Sequence, residues 1–143
     1  MFISDLEVER DIEEASRCDV NVLITGGNIP TRRAVAHRIH QMGGRSAGGL
    51  VIVNDVEEWN VNHQLASASL GATMFVEEIG KLDEKHQTAL LHILDRRAAL
   101  SAQFPAWRII AASDARLYDL MVRGEFQSEL FYRLNVIHIV IPQ

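Results

Sequence analysis

The sequence predicts an α/β protein built as a three-layer sandwich, with a mainly parallel sheet of five strands between helices. Two observations carry that expectation. Short, continuously apolar runs such as Leu50-Val51-Ile52-Val53 recur along the chain, as strands buried on both faces require. Segments with helical periodicity separate them, which is the pattern of a covered parallel sheet. The 143 residues, 48% of them apolar, suffice for one hydrophobic core, so a single domain over 1–143 is expected.

The elements follow in order. Ser4-Asp5-Leu6-Glu7 has the form of a capping box, and Leu6, Ile12 and Ala15 stripe a helix over 5–17. Val20 to Ile24 is the first strand. Val35, Ile39 and Met42 share a face of a second helix over about 32–42, stopped by Gly43-Gly44. Leu50 to Val53 is a strand, 57–67 a helix and Ala72 to Val76 a strand. Asp83 can cap a helix along which Leu90, Ile93, Leu94 and Arg97 align. Trp107 to Ala112 is a fourth strand, helical turns fill about 115–133, and Val136 to Ile141 is the fifth strand. Ligands of such sheets sit beyond the carboxyl ends of the strands. Thr25-Gly26, Asn54, Glu77-Glu78 and Ser113-Asp114 all fall there.

Composition excludes several classes. A net charge of −5 with no basic run argues against direct DNA binding. The lone Cys18 rules out an internal disulfide or a multi-cysteine metal site and reads as a small packed residue. No apolar stretch approaches the roughly 20 residues needed to span a bilayer, and the acidic start is not a signal peptide, so a cytoplasmic protein is expected. There is no G-x-S-x-G elbow for a hydrolase. His37 and His40 lie three apart without a third ligand at useful spacing. A receiver-like signalling domain would need a phosphoacceptor; Asp55 follows a strand, but no Lys partner is evident.

Four runs together resemble the central AAA+ ATPase domain of bacterial enhancer-binding proteins, the activators of sigma-54 RNA polymerase. Met74-Phe75-Val76-Glu77-Glu78-Ile79-Gly80 resembles that family's Walker B run. Arg108-Ile109-Ile110-Ala111-Ala112-Ser113-Asp114 resembles its sensor I strand, and Gly124 to Val136 its arginine-finger helix. Gly26 to Arg33 stands where the family's phosphate loop reads Gly-Glu-Ser-Gly-Thr-Gly-Lys-Glu. The resemblance covers essentially the whole chain and implies a P-loop NTPase (AAA+) fold, with ATP and magnesium as the family's ligands.

The resemblance also assigns roles. Gly26, Gly27, Asn28, Ile29, Pro30, Thr31, Arg32 and Arg33 stand at the nucleotide-binding positions. Glu77 matches the magnesium-holding acid, usually Asp, and Glu78 the acid that polarises the attacking water. Asn54 matches a switch residue that pairs with the catalytic Glu; Ser113 and Asp114 take the sensor positions; Arg133 matches the second arginine finger, while Gln127 replaces the first.

The departures are selective. A phosphate cradle uses converging backbone N–H groups and glycines that tolerate positive φ. Ile29 is ill-suited to positive φ, Pro30 removes an N–H, and Arg32 puts a forked guanidinium where the family has an ammonium. Glu77 is a methylene longer than Asp, and Asp114 is an anion where a neutral amide is usual. Loss of an arginine finger is worth about 10³–10⁵ in rate. The Gly-Ala-Phe-Thr-Gly-Ala loop that touches sigma-54 has no counterpart between Asp55 and Leu70, and the family's helical lid has none before Gln143.

Two readings follow. In the first, the chain is a non-catalytic regulatory module, without cofactor, that acts through a protein partner: an AAA+ relative or a transcription regulator. Direct contact with sigma-54 is not expected, and a homo-oligomer stays open. In the second, it is an active or nucleotide-sensing ATP-binding domain in which Arg32, Glu77, Glu78 and Arg133 still work. Excision from a larger regulator is compatible with either.

Overall fold

The computed structural model describes residues 6–43, 49–53, 73–100, 108–114 and 116–142. Helix α1 spans Leu6–Ser16, strand β1 Val22–Gly26 and helix α2 Ile29–Met42. Strands β2 (Leu50–Val53) and β3 (Thr73–Val76) lead to a 3₁₀ turn at Ile79–Lys81 and to helix α3 (Glu84–Leu100). Strand β4 (Arg108–Ser113), helices α4 (Leu117–Val122) and α5 (Ser128–Leu134) and strand β5 (Ile137–Ile141) complete the order. The Ser4 capping box, the helix expected over 57–67, Asn54 and Trp107 lie outside the described residues.

The five strands form one sheet in the order β2-β3-β4-β1-β5, and every neighbouring pair is parallel. Alternation along the strands sorts the core into two layers. Val22, Ile24, Phe75, Ile110 and Ile139 face α1 and α2, where Ile12, Val35 and Ile39 meet them. Leu23, Met74, Val76, Ile109 and Ala111 face the other side and pack on Leu90, Ile93, Leu117, Leu130 and Leu134. The expected three-layer sandwich is therefore the observed one, and the mostly buried strands explain why they read as unbroken apolar runs.

Boundaries moved where local chemistry overrode periodicity. Helix α2 starts at Ile29, three residues before the expected position, because Asn28 caps it: its Oδ1 accepts from the Thr31 N–H at 2.9 Å. Pro30 then sits in the first turn, where its missing N–H costs nothing. The segment expected to be helical over 115–133 is two helices, broken at Gly124, whose φ of 80° a residue with Cβ adopts poorly. Strand β1 runs to Gly26 rather than Ile24.

A buried arginine fastens the layers. Arg108 opens β4 and is 1% exposed. It donates to the carbonyls of Ala15 and Cys18 at 2.9 and 3.0 Å and of Val20 at 3.0 Å, satisfying the end of α1 and the link to β1. Arg38 and Glu9 join α2 to α1 by two hydrogen bonds of 2.7 Å.

Candidate functional site

The site lies where β1, β3 and β4 end together. After Thr25 the chain turns through Gly26 (φ 86°) and Gly27 (φ 59°) before Asn28 caps α2. Positive φ thus falls on the two glycines. The conflict expected at Ile29 does not arise, since Ile29 and Pro30 are already helical. Gly27 cannot be replaced freely: a Cβ there would come within 2.8 Å of the Ile141 Cγ2.

Arg32, one turn into α2, is 4% exposed. Its Nη1 donates to the Gly26 carbonyl at 2.8 Å and to the Gly27 carbonyl at 3.3 Å. Its Nη2 donates to the Glu78 Oε1 at 2.5 Å. The loop therefore turns two carbonyl oxygens toward a guanidinium, whereas a phosphate cradle turns N–H groups toward an anion. The polarity of this corner suits a cation, and Arg32 supplies it.

Arg33, the next residue, pairs with the next carboxylate. Its Nη2 meets the Glu77 Oε2 at 2.8 Å, and its Nε also donates to Glu77. Side by side, two arginines from the start of α2 thus bridge both acids that follow β3. Lys81 Nζ adds a contact of 3.4 Å to the other Glu78 oxygen. Glu77 and Glu78, which the resemblance matched to the family's magnesium-holding and water-polarising acids, are engaged here by Arg33 and by Arg32 and Lys81. Glu78 has φ 54° and ψ 43°, the single left-handed non-glycine among the described residues. Such a conformation costs on the order of 1 kcal/mol and persists where surrounding contacts over-determine it.

Ser113 and Asp114 border this cluster. Ser113, 2% exposed, ends β4 beside Thr25. Its hydroxyl lies so close to Gly80 that a Cβ there would approach to 2.8 Å. The Asp114 carboxyl is held below the usual carboxylate range, chiefly by the Arg116 backbone N–H that donates to it at 3.0 Å. The Arg116 guanidinium and the charge of Arg32 act in the same direction, against the opposing effect of burial.

Arg133 stands apart from this group. It pairs with Asp95 of α3, whose side chain is 57% exposed. Gln127 is likewise engaged with α3, its Nε2 donating to the Thr88 Oγ1 at 3.0 Å and its N–H to the Gln87 Oε1 at 2.8 Å. Asn54 lies outside the described residues. Among those residues no group of three His, Cys, Asp or Glu side chains could hold a metal ion, and His40 is buried against Thr73 at 2.7 Å.

Sequence reasoning also missed a pairing on the neighbouring strand. Thr25 Oγ1 and His138 Nε2 lie 2.7 Å apart, across β1 and β5. The ring is partly open to water, yet burial against the sheet pushes the pKa of His138 down, with an opposing pull from Asp11. The pairing was invisible because it depends on which strands become neighbours.

The fold is an α/β core of the P-loop NTPase type, with the Arg32 guanidinium seated against the turn that follows β1. The family model described as the Sigma-54 interaction domain matches residues 62–140, and the chain belongs to that family. The DNA-binding transcriptional regulator NtrC of Bradyrhizobium sp. (strain RP501 Parasponia) is 28% identical over 161 aligned positions, which cover 95% of this chain and 34% of that regulator. That alignment is longer than the chain's 143 residues, so the relative carries segments that this chain lacks. The chain spans about a third of the length of the curated relatives it matches. Among solved structures, NtrX from Brucella abortus in complex with ATP superposes with a TM-score of 0.79 at 20% identity, covering 99% of this chain and 38% of that one. The P-loop NTPase domain of a sigma-54 transport activator from E. coli gives 0.67 at 20% identity, covering 95% and 94%. These structures establish the fold. No helix among the described residues is long and apolar enough to cross a membrane.

Proposed function

We propose that this chain is a regulatory module derived from a sigma-54 activator ATPase domain that works through protein contacts, without efficient ATP hydrolysis. One observation carries the reading: the Arg32 guanidinium is held between the Gly26 and Gly27 carbonyls and Glu78. A triphosphate entering there would meet carbonyl oxygens, and it would have to draw Arg32 away from a carboxylate.

The remaining residues support the same reading. Magnesium needs free carboxylate oxygens, and Glu77 and Glu78 are bound to Arg33 and Arg32. Phosphoryl transfer rests on positioning and electrostatics, so displaced acids and an altered sensor at Asp114 remove most of it. Arg133 is paired with Asp95 of its own chain. Glu78, Asn54 and Arg133 are on this view vestiges of catalysis, and residues 1–143 act as one degenerate domain in the cytoplasm. The partner is an AAA+ relative or another transcription regulator.

Isothermal titration with ATP and magnesium, run beside a phosphate-release assay, tests the proposal. Heats indistinguishable from dilution up to millimolar ATP are expected; micromolar binding with turnover defeats it. The second reading, a nucleotide-sensing domain, draws on the ATP complex of the structurally similar NtrX. It requires Arg32 to swing from Glu78 onto phosphate. If nucleotide binds and Arg32→Ala leaves the affinity unchanged, that reading falls.

A further inference from the structure

A cavity of about 340 Å³ opens between α4, α5 and the β1–β5 edge of the sheet, and it shares no side chain with the Arg32–Glu78 cluster. Its walls are aromatic. Phe131 meets Tyr118 edge-on at 6.0 Å and 66°, and Tyr132 at 5.3 Å and 89°. Tyr118 and Tyr132, 58% and 64% exposed, line it where it meets solvent. The Thr25–His138 pair lies at one side, and Asn135 contributes an amide.

We infer that this cavity is a binding site for an uncharged aromatic compound of one or two fused rings. Three features set that class. The volume is about twice the 150 Å³ that accommodates benzene in an engineered core cavity, and it lies within the ~300–1,000 Å³ range of ligand pockets. The rings offer edges and faces at T-shaped spacing, the geometry that a further planar ring extends. Among the described residues that line the cavity there is no Lys, Arg, Asp or Glu, and burial favours the neutral form of His138. A charged ligand would lose water without gaining a counter-charge. A ring nitrogen or hydroxyl can hydrogen-bond to the Asn135 amide or to the free side of the Thr25–His138 pair, because imidazole and hydroxyl can each donate or accept.

The test is a ¹⁹F NMR titration with 5-fluoroindole, which separates the probe from the chain's own tryptophans, together with amide shift mapping on the whole chain. Saturable binding at about 1 mM or tighter is expected for a probe of this size. Shifts should centre on Phe131, Asn135 and His138. Tyr118→Ala and, independently, Thr25→Val should each weaken binding about fivefold while circular dichroism shows both folded. The variants remove a ring face and a hydroxyl respectively, each worth about 1 kcal/mol. The twin probe 5-fluoroindole-3-carboxylate should bind at least tenfold more weakly. Absence of saturation up to 10 mM, wild-type affinity retained in either variant, shifts elsewhere, or equal binding of the carboxylate would each overturn the inference. None of these results depends on whether ATP binds.

Discussion

Replacing Arg32 by Met keeps a long unbranched side chain on α2 but removes the cation. The change deletes the 2.5 Å hydrogen bond to Glu78 and the donors to the Gly26 and Gly27 carbonyls. Glu78 is left with the 3.4 Å contact to Lys81, whose side chain is 78% exposed and contributes little. Removing one partner of a buried pair costs about 3–5 kcal/mol. The Glu78 side chain is 25% exposed and can recover some hydration, so the lower end applies, about 3 kcal/mol. At about 2–4 °C per kcal/mol for a chain of this size, Tm should fall by roughly 10 °C. Urea unfolding followed by far-ultraviolet circular dichroism measures the loss. The double variant Arg32→Met/Glu78→Leu should recover much of it, because the carboxylate left alone by the first change is then gone too, giving a coupling of about 2 kcal/mol. A single-variant loss below about 1 kcal/mol, or strict additivity in the double variant, would show that the pair is a surface contact and not the fixture of this corner.

Other outcomes follow from the same coordinates. Gly80→Ala should destabilise by about 1–3 kcal/mol, since the new methyl would press on the Ser113 hydroxyl at 2.8 Å and on the Leu120 Cδ1 at 3.3 Å; thermal unfolding reads it. Arg108→Met should cost about 3 kcal/mol or more, because three carbonyls on the α1–β1 connection lose their donor together. For His138, the folded state lowers the pKa from its ordinary 6.5, so the fold resists a proton that the unfolded chain accepts. Its contribution is fully present above that value and is lost as the pH falls below it. The stability difference between the wild type and His138→Gln should therefore shrink between pH 7 and 5, and a difference that grows on acidification would refute the assignment.

The central strands β1, β3 and β4 were readable in the sequence because they are buried on both faces and are mostly apolar. Val22 to Ile24 and Ile109 to Ala112 needed no tertiary information to be recognised. The start of α2 was not, because capping by Asn28 and the tolerance of a first turn for Pro30 outweighed the apolar spacing that began at Val35. At the site, the motifs located Arg32, Arg33, Glu77, Glu78, Ser113 and Asp114 at one end of the sheet, since each follows or ends a strand that the motif order implies. The motifs did not reveal that the arginines and acids pair off, Arg32 with Glu78 and Arg33 with Glu77. That pairing depends on side-chain reach across 44 and 46 positions of chain. The aromatic cavity was illegible for the same reason: Tyr118, Tyr132 and His138 belong to three elements that only folding brings together.

The central claim is that a cation of the protein itself occupies the corner after β1. A crystal structure determined after soaking in several millimolar of a non-hydrolysable ATP analogue with magnesium addresses it directly. The account predicts that Arg32 stays on the Gly26 and Gly27 carbonyls and on Glu78, with no triphosphate density above Gly26 to Arg32. Ordered phosphates against Gly27, with Arg32 turned onto them and Glu78 released, would contradict it.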